Sequence, residues 1–225
     1  SFENISLILE VKSRAPGRKN IDYLDTEKII NDYESGGAKA ISVLTDEKWF
    51  GGSLETLERV RNYSSLPLLH KEFILTNYQL LEGRVRGASA ALILAYYFQE
   101  EELYKIIKDA NDIGLDAVVE CSLENELSRV LEVNPDILMI NNRPISKIPA
   151  DPSKVYDHGS IDVTLSWWER YPDLRTWKKQ PGKLLISASC INNSKDINNL
   201  MKIPCDAVLI GNAAMIANDR IDFLN

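Results

Sequence analysis

The feature that most constrains this chain is a series of eight short apolar runs separated by amphipathic segments. Each run is nearly continuous in apolar residues, as is typical of strands buried on both faces of a parallel sheet. The runs are LILEV (7–11), AISVL (40–44), LPLLH (66–70), AALILA (90–95), DAVVEC (116–121), DILMIN (136–141), KLLIS (183–187) and DAVLIG (206–211).

The segments between the runs carry apolar residues at helical spacing. Segments 26–35, 54–61 and 100–113 each place their apolar side chains on one face. Several end in glycine just before the next strand, in ESGGAKA, VRGASA and DIGLDA, where a helix end often needs a positive φ. Such alternation predicts a closed barrel or a doubly wound sheet. The even repeat favours a (β/α)8 TIM barrel, with residues 1–225 as a single catalytic domain.

Composition narrows the classes of partner. The net charge of −7 argues against a nucleic-acid partner, which would need a basic face. No apolar run is long enough to span a bilayer, and residues 1–4 show no signal-peptide pattern. The cysteines Cys121, Cys190 and Cys205 and the histidines His70 and His158 suggest no disulfide framework and no metal site. We therefore expect a cytoplasmic protein that acts on a small molecule and contacts no membrane.

One connection is unusually long. Strand six ends near residue 141 and strand seven begins near residue 183, although most such loops run about 2–6 residues. A helix is predicted at 164–170, preceded by an extended loop at about 144–163. The loop is either a tolerated surface insertion or a lid, because the loops that follow barrel strands surround the catalytic face.

Polar residues stand at the carboxyl ends of the predicted strands, which converge on one mouth in a barrel. Buried charges there are costly unless they are paired, so Lys12 with Glu10, or Lys71 with Glu120, could be structural ion pairs or acid–base groups. The residues are Glu10, Lys12, Lys71, Glu72, Glu120, Asn141, Asn142, Arg143, Ser187, Ser189, Gly211 and Asn212.

The last two strand ends suggest a phosphate site. LIGNAAM predicts a short helix after strand eight, next to the turn at Ser189 and Cys190. Barrels often hold phosphate in these two loops, at the N–H groups of a short helix. Alternatively, Gly211 only permits a tight turn.

Several motifs together resemble the indole-3-glycerol-phosphate synthase family. They are LILEVKSRAP, SVLTDEKWFGGSLETL, LPLLHKEFI, VVEC and INNR, and they span essentially the whole chain in order. The resemblance implies decarboxylating and dehydrating closure of 1-(2-carboxyphenylamino)-1-deoxyribulose 5-phosphate to indole-3-glycerol phosphate, in tryptophan biosynthesis. It implies no cofactor and no metal. A monomer is expected, with association with other enzymes of the pathway left open.

The resemblance also implies roles for particular residues. Lys71 would protonate the ketone oxygen, and Lys12 would bind the substrate carboxylate or phosphate and assist as an acid. Glu120 would act as general base or stabilise the developing cation, Glu10 would orient the lysines, and Asn141 would bind substrate hydroxyls. The expected substrate-binding residues are Phe50, Leu92, Arg143, Ser189, Cys190, Gly211 and Asn212, with Phe50, Leu92 and Ile140 as an apolar slot for the ring.

The sequence departs from the family at several points. Ala188, Ser189 and Cys190 replace the usual Glu-Ser-Gly, so an acid is missing, and Cys190 would be strained if its φ were positive. Asn212 replaces a small hydroxyl or acidic residue. Ala15, Pro16 and Gly17 replace Ser-Pro-Ser. The chain begins about six residues before strand one, so we expect the family's N-terminal helix to be absent or removed.

These departures keep rival interpretations open. One is a related phosphosugar barrel enzyme of the phosphoribosylanthranilate isomerase type, although its acid–base chemistry favours a Cys–Asp pair where this chain has Glu10 and Lys12. Another is a diverged barrel that binds a phosphate ligand without catalysis. A third is a truncated enzyme that folds but binds substrate weakly.

Overall fold

The computed structural model describes residues 5–16, 25–156 and 159–217. The eight predicted strands form a closed barrel in sequence order, and each strand pairs in parallel with its neighbours. The prediction of a (β/α)8 barrel is therefore confirmed. The strands are β1 (Ser6–Val11), β2 (Ala40–Leu44), β3 (Leu68–Lys71), β4 (Ala90–Leu94), β5 (Asp116–Cys121), β6 (Ile137–Asn141), β7 (Leu184–Ala188) and β8 (Ala207–Ile210).

Helices surround the barrel. They are α1 (Thr26–Ser35), α2 (Glu47–Phe50), α3 (Leu54–Tyr63), α4 (Asn77–Val85), α5 (Glu100–Asp112), α6 (Glu124–Val133), α7 (Asp162–Arg170), α8 (Pro172–Lys178), α9 (Ser194–Leu200) and α10 (Asn212–Ile216). The predicted helix at 26–35 is confirmed, as is the short helix after strand eight. The helix predicted at 164–170 begins two residues earlier, at Asp162, and the next helix, α8, was not predicted.

Alternation along each strand divides the core into two layers. Leu7, Leu9 and Val11 belong to the larger cluster between the barrel and its helices. Ile8 belongs to a smaller cluster inside the barrel, with residues such as Leu92. Successive strand residues point to opposite faces, so the residue two positions after an interior apolar residue also points inward. This alternation determines which polar residues reach the mouth.

Some sequence features fall outside the described residues, namely residues 1–4, Gly17 and His158. The predicted positive φ after helices is confirmed at Gly37, Gly87 and Gly114. In the described parts of the chain, none of the helices combines the length and hydrophobicity needed to cross a bilayer.

Candidate active site

One pocket lies at the carboxyl ends of the strands. The structure brings together there all twelve residues to which the resemblance gave catalytic or binding roles. They are Glu10, Lys12, Phe50, Lys71, Leu92, Glu120, Asn141, Arg143, Ser189, Cys190, Gly211 and Asn212. The sequence-based prediction of a shared mouth is confirmed for these residues and is wrong for Asn142 and Ser187, which do not line the pocket. The role of each residue stays a prediction.

Glu10 lies at the centre of the charged part of the pocket. It follows Ile8 on the inward face of β1, and its side chain is 3% exposed. Glu10 Oε1 accepts from Lys12 Nζ at 2.5 Å, and Glu10 Oε2 accepts from Lys71 Nζ at 2.8 Å. One carboxylate therefore binds both ammonium groups. Lys71 forms its ion pair with Glu10 and not, as the sequence had suggested, with Glu120.

The three groups shift one another's pKa. Burial alone would raise the pKa of Glu10, but Lys12 and Lys71 outweigh burial and lower it to about 2. Burial lowers the pKa of Lys12, and Glu10 only partly offsets that effect. Burial also acts to lower the pKa of Lys71, but Glu10 and Glu120 together raise it above its usual range. Lys71 is thus a charged donor, and Lys12 gives up its proton more easily.

Glu120, on β5, has a different environment. Its Oε1 accepts from Asn141 Nδ2 at 2.9 Å, whereas its buried Oε2 has no hydrogen-bond partner among the described residues. Burial raises the pKa of Glu120, and the Lys71 charge and the Asn141 hydrogen bond only partly offset this. A carboxyl group with a raised pKa and an unused oxygen in a pocket is suited to proton transfer.

Gly211 has a function beyond permitting a turn. A β-carbon at this position would lie 2.3 Å from Glu10 Oε1 and 2.9 Å from Lys12 Nζ, both closer than van der Waals contact. The absence of a side chain at the end of β8 therefore leaves room for the Glu10–Lys12 ion pair.

Consecutive residues at the end of β6 have different functions. Asn141 and Arg143 line the pocket, whereas Asn142 is fully buried on the opposite side. Asn142 Nδ2 donates to Ser187 Oγ and to the carbonyl oxygens of Ala188 and Ser189, at 2.9–3.0 Å. The polar residues Asn142 and Ser187 thus stabilise the strand ends and do not face the pocket.

The turn after β7 has an unusual backbone. Ser189 and Cys190 have φ values of 68° and 61°, a left-handed conformation that costs an L-residue about 1–2 kcal/mol. The positive φ anticipated for Cys190 is confirmed. Asn142 stabilises this turn through the Ser189 carbonyl, so a residue outside the pocket helps to shape it.

The apolar part of the pocket differs from the expected slot. Phe50 and Leu92 line it, but Ile140 does not, because its side chain points outward into the larger core cluster. Sequence reasoning missed Phe73, whose ring lies 6.4 Å from that of Phe50. Phe73 follows Lys71 by two residues in KEFI, and that spacing was the available signal.

The FGGS motif positions Phe50. Gly51 ends α2 in a left-handed conformation. A β-carbon on Gly52 would lie 2.0 Å from the carbonyl oxygen of Leu44, so Gly52 lets α2 approach the end of β2 closely. The Arg14 N–H donates to the Phe50 carbonyl at 3.0 Å. The loops after β1 and β2 are thereby joined beside the aromatic slot.

Glu72 is a second residue that lines the pocket without an assigned role. Its carboxylate accepts from Thr45 Oγ1 at 2.5 Å and from the Phe73 N–H at 2.8 Å. Thr45 Oγ1 also lies 3.0 Å from His70 Nε2. Burial lowers the pKa of His70 to about 4, so this histidine is neutral. Its contact with Thr45 gives it a structural role at β3.

The long loop after β6 contributes to the pocket. Ile145, Ile148 and Tyr156 all line it, and no sequence pattern predicted which loop residues would do so. The described part of the loop is therefore more than a surface insertion.

The chain is similar to known proteins along its whole length. The family model described as indole-3-glycerol phosphate synthase matches residues 1–225. Proteins of that name from Staphylococcus haemolyticus and Petrotoga mobilis are 32% and 34% identical, over 99% and 96% of this chain and 79% and 81% of theirs. The Aquifex aeolicus protein of that name is 35% identical, over 93% of this chain and 76% of its own.

Among solved structures, the chain resembles 3-hexulose-6-phosphate synthase from Salmonella typhimurium. The TM-score is 0.67 at 15% identity, with 98% of this chain and 95% of that chain covered. At this identity the likeness concerns the fold alone.

Proposed function

The chain belongs to the indole-3-glycerol phosphate synthase family, and from this premise we propose how its pocket performs the family's reaction. Membership makes the chain a decarboxylating lyase of tryptophan biosynthesis. The substrate 1-(2-carboxyphenylamino)-1-deoxyribulose 5-phosphate requires acid, base, aromatic and anion-binding groups. The residues around the pocket include all four kinds.

Ring closure begins with attack of the aromatic carbon on the sugar ketone, whose oxygen gains negative charge. A cation directed at that oxygen stabilises the transition state. Lys71 is assigned this role because its pKa is raised and Glu10 holds its ammonium group. Lys12, whose pKa is lowered by burial, binds an anionic group of the substrate and assists as an acid.

Loss of carbon dioxide and water follows, and these steps need a base. Glu120 is assigned this role because Oε2 has no partner among the described residues. Asn141 donates to Oε1 and so orients the carboxylate. Its hydrogen-bonding capacity also leaves one amide N–H for a substrate hydroxyl.

The remaining residues bind the two ends of the substrate. Phe50 and Leu92 contact the aromatic ring, which needs an apolar environment. Arg143 contacts an anionic group. The phosphate is assigned to the turns after β7 and β8, where Ser189, Cys190, Gly211 and Asn212 line the pocket.

The observation that carries this proposal is the pair of carboxylates with opposite environments. Glu10 is held ionised by two lysines, and Glu120 has a raised pKa. Two titratable groups whose pKa values are driven apart are typical of acid–base catalysis.

The test is a direct assay. Purified protein is mixed with the anthranilate-derived sugar phosphate, and indole-3-glycerol phosphate is followed by its fluorescence. Formation of product supports the proposal. Binding without turnover would favour the non-catalytic barrel, for which the missing acid at Ala188 is the specific observation. Turnover of phosphoribosylanthranilate instead would favour the isomerase.

We further propose that the protein acts in the cytoplasm as a monomer. The support is its place in a biosynthetic enzyme family. Light scattering after size exclusion would measure the mass, which is 25.4 kDa for one chain.

A further inference from the structure

Residues 144–156, in the loop after β6, cross the mouth of the barrel, and we refer to them as the strap. Trp49 Nε1, in α2, donates to the carbonyl oxygen of Pro149 in the strap at 3.0 Å. Because α2 follows β2 and the strap follows β6, their strands lie on opposite sides of a barrel closed in sequence order. The strap therefore reaches across the pocket, and the hydrogen bond from Trp49 holds it on the opposite side of the barrel.

Tyr156 lies at the end of the strap and returns to its beginning. Tyr156 Oη donates to the Pro144 carbonyl at 2.7 Å. Burial first, and then the charge of Glu120, raise the pKa of the phenol, so the group stays protonated and keeps this bond. The hydroxyl is thus engaged within the strap, and the ring is the part of Tyr156 available to its surroundings.

The ring of Tyr156 lies beside Arg143. The guanidinium carbon is 6.0 Å from the ring centroid, at the outer limit of a cation–π contact. The backbone at Gly159 passes close to the aliphatic part of Arg143, since a β-carbon there would lie 3.0 Å from Arg143 Cγ. An arginine side chain has about 2 kcal/mol of rotamer entropy, and the ring of Tyr156 restricts the guanidinium before any substrate arrives.

Arg143 is the third cation of the pocket. It lines the same pocket as Lys12 and Lys71, and its charge acts to lower the pKa of both lysines. The backbone N–H of Arg143 donates to Asn141 Oδ1 at 3.0 Å, which fixes where the side chain starts. A cation held in this way suits an oxyanion of the substrate, either carboxylate or phosphate.

We propose that Tyr156 is a positioning residue for substrate binding, whose ring holds the Arg143 guanidinium towards a substrate oxyanion. This inference rests on the proposed function. In this proposal the strap contributes to the affinity for substrate and not to the chemical steps, because Tyr156 acts through Arg143.

The first test compares Tyr156→Leu with Tyr156→Phe. Loss of the ring should raise KM about 3- to 30-fold with little change in kcat, and Tyr156→Phe should recover most of that loss. Tyr104→Leu, on an exposed residue of α5, is the matched control and should behave as the parent. A parent without turnover would refute the proposed function. An active parent with an unchanged KM in Tyr156→Leu would refute only the role of Tyr156.

A double-mutant cycle separates positioning from general damage to the fold. In an Arg143→Leu background, Tyr156→Leu should have almost no further effect on KM. Fully additive effects would overturn the proposal, as would an equal fall in kcat and kcat/KM.

Inhibition by inorganic phosphate and by anthranilate distinguishes the two oxyanions. Weaker inhibition by phosphate in Tyr156→Leu assigns Arg143 to the phosphate, and weaker inhibition by anthranilate assigns it to the carboxylate. If both inhibition constants match those of the parent, Tyr156 does not position an anion-binding group.

Discussion

The two sides of the barrel mouth are built differently. On the side of β1, β3 and β5, strand residues supply the charged groups, and Glu10 joins Lys12 and Lys71 inside the barrel. On the side of β6 and β7, a left-handed turn and the strap shape the pocket, and Ser189 and Tyr156 come from loops. On the first side, Glu10, Lys71 and Glu120 sit on hydrogen-bonded strands, and Lys12 directly follows one.

This difference separates chemistry from recognition. Strand ends hold acid and base groups at fixed separation, as proton transfer requires. Loops can change length and composition without disturbing the barrel. Of the departures from the family, those at Ala188 and Cys190 lie on the side of β6 and β7, whereas those at Ala15 and Asn212 follow β1 and β8. The comparison predicts that changes on the strand side reduce turnover most.

The largest effect is expected for Lys71→Ala. Loss of the ammonium group should lower kcat by about 10²–10⁴, while the fold is retained because Glu10 keeps Lys12 as its partner. Fluorescence of the product measures turnover, and circular dichroism checks the fold. Lys105→Ala, in an exposed pair with Asp109, is the control. Parental turnover in Lys71→Ala would show that the strand side is structural.

Glu10→Gln should destabilise the fold as well as slow the reaction. Two ammonium groups would lose their buried partner, and breaking such a pair costs about 3–5 kcal/mol of unfolding free energy. Urea denaturation at neutral pH measures the loss. Glu124→Gln, in an exposed pair with Arg170, should change stability little. Equal effects of the two variants would contradict the assigned importance of Glu10.

The contribution of Glu10 to the free energy of unfolding should also depend on pH. The folded pKa, about 2, is below the ordinary value of 4.5. Its stabilisation is therefore present above pH 4.5 and is lost as pH falls towards 2. The stability difference between parent and Glu10→Gln should shrink over that interval, and a constant difference would argue against this shift.

Glu120→Gln should show the opposite dependence on pH. The folded pKa is raised, so the stabilisation associated with this group is present below its ordinary pKa and is lost as pH rises through the raised value. Glu120→Gln should lower kcat/KM by about 10² and remove the acidic limb of the pH–rate profile. At neutral pH it should unfold at higher urea than the parent. Retention of the acidic limb would exclude Glu120 as the base.

The smallest effect, a change in stability alone, is expected for Cys190→Gly on the loop side. Relief of the left-handed conformation, worth about 1–2 kcal/mol, is partly offset by the greater freedom of glycine when unfolded, about 0.5–1 kcal/mol. A slightly higher urea midpoint is expected. Asn134→Gly, also left-handed at φ 55° but at the end of α6, is the control and should raise the urea midpoint less, because asparagine tolerates this conformation better than cysteine. A lower midpoint in Cys190→Gly would mean that the thiol's own contacts outweigh the strain.

Much of the strand side could be predicted from the sequence. The apolar runs predict the strands, and alternation from Ile8 through Glu10 to Lys12 predicts which side chains point inward. The same rule assigns Asn141 and Arg143 to the pocket and places Ile140 and Asn142 outside it, where the structure has them. Alternation works because backbone geometry alone fixes a period of two.

The sequence by itself determined the eight strands and the set of charged groups at their carboxyl ends, because the periodicity of apolar residues depends on neighbouring residues, and the regular repeat of strand and helix favoured a barrel. Only the tertiary structure decided that Glu10 pairs with both lysines, that Gly211 leaves room for that pair, and that Tyr156 lies beside Arg143. The contacts of Glu10 with Lys71 and with Gly211 join different strands, and the contact of Tyr156 with Arg143 depends on the path of the loop after β6, so neither follows from local periodicity.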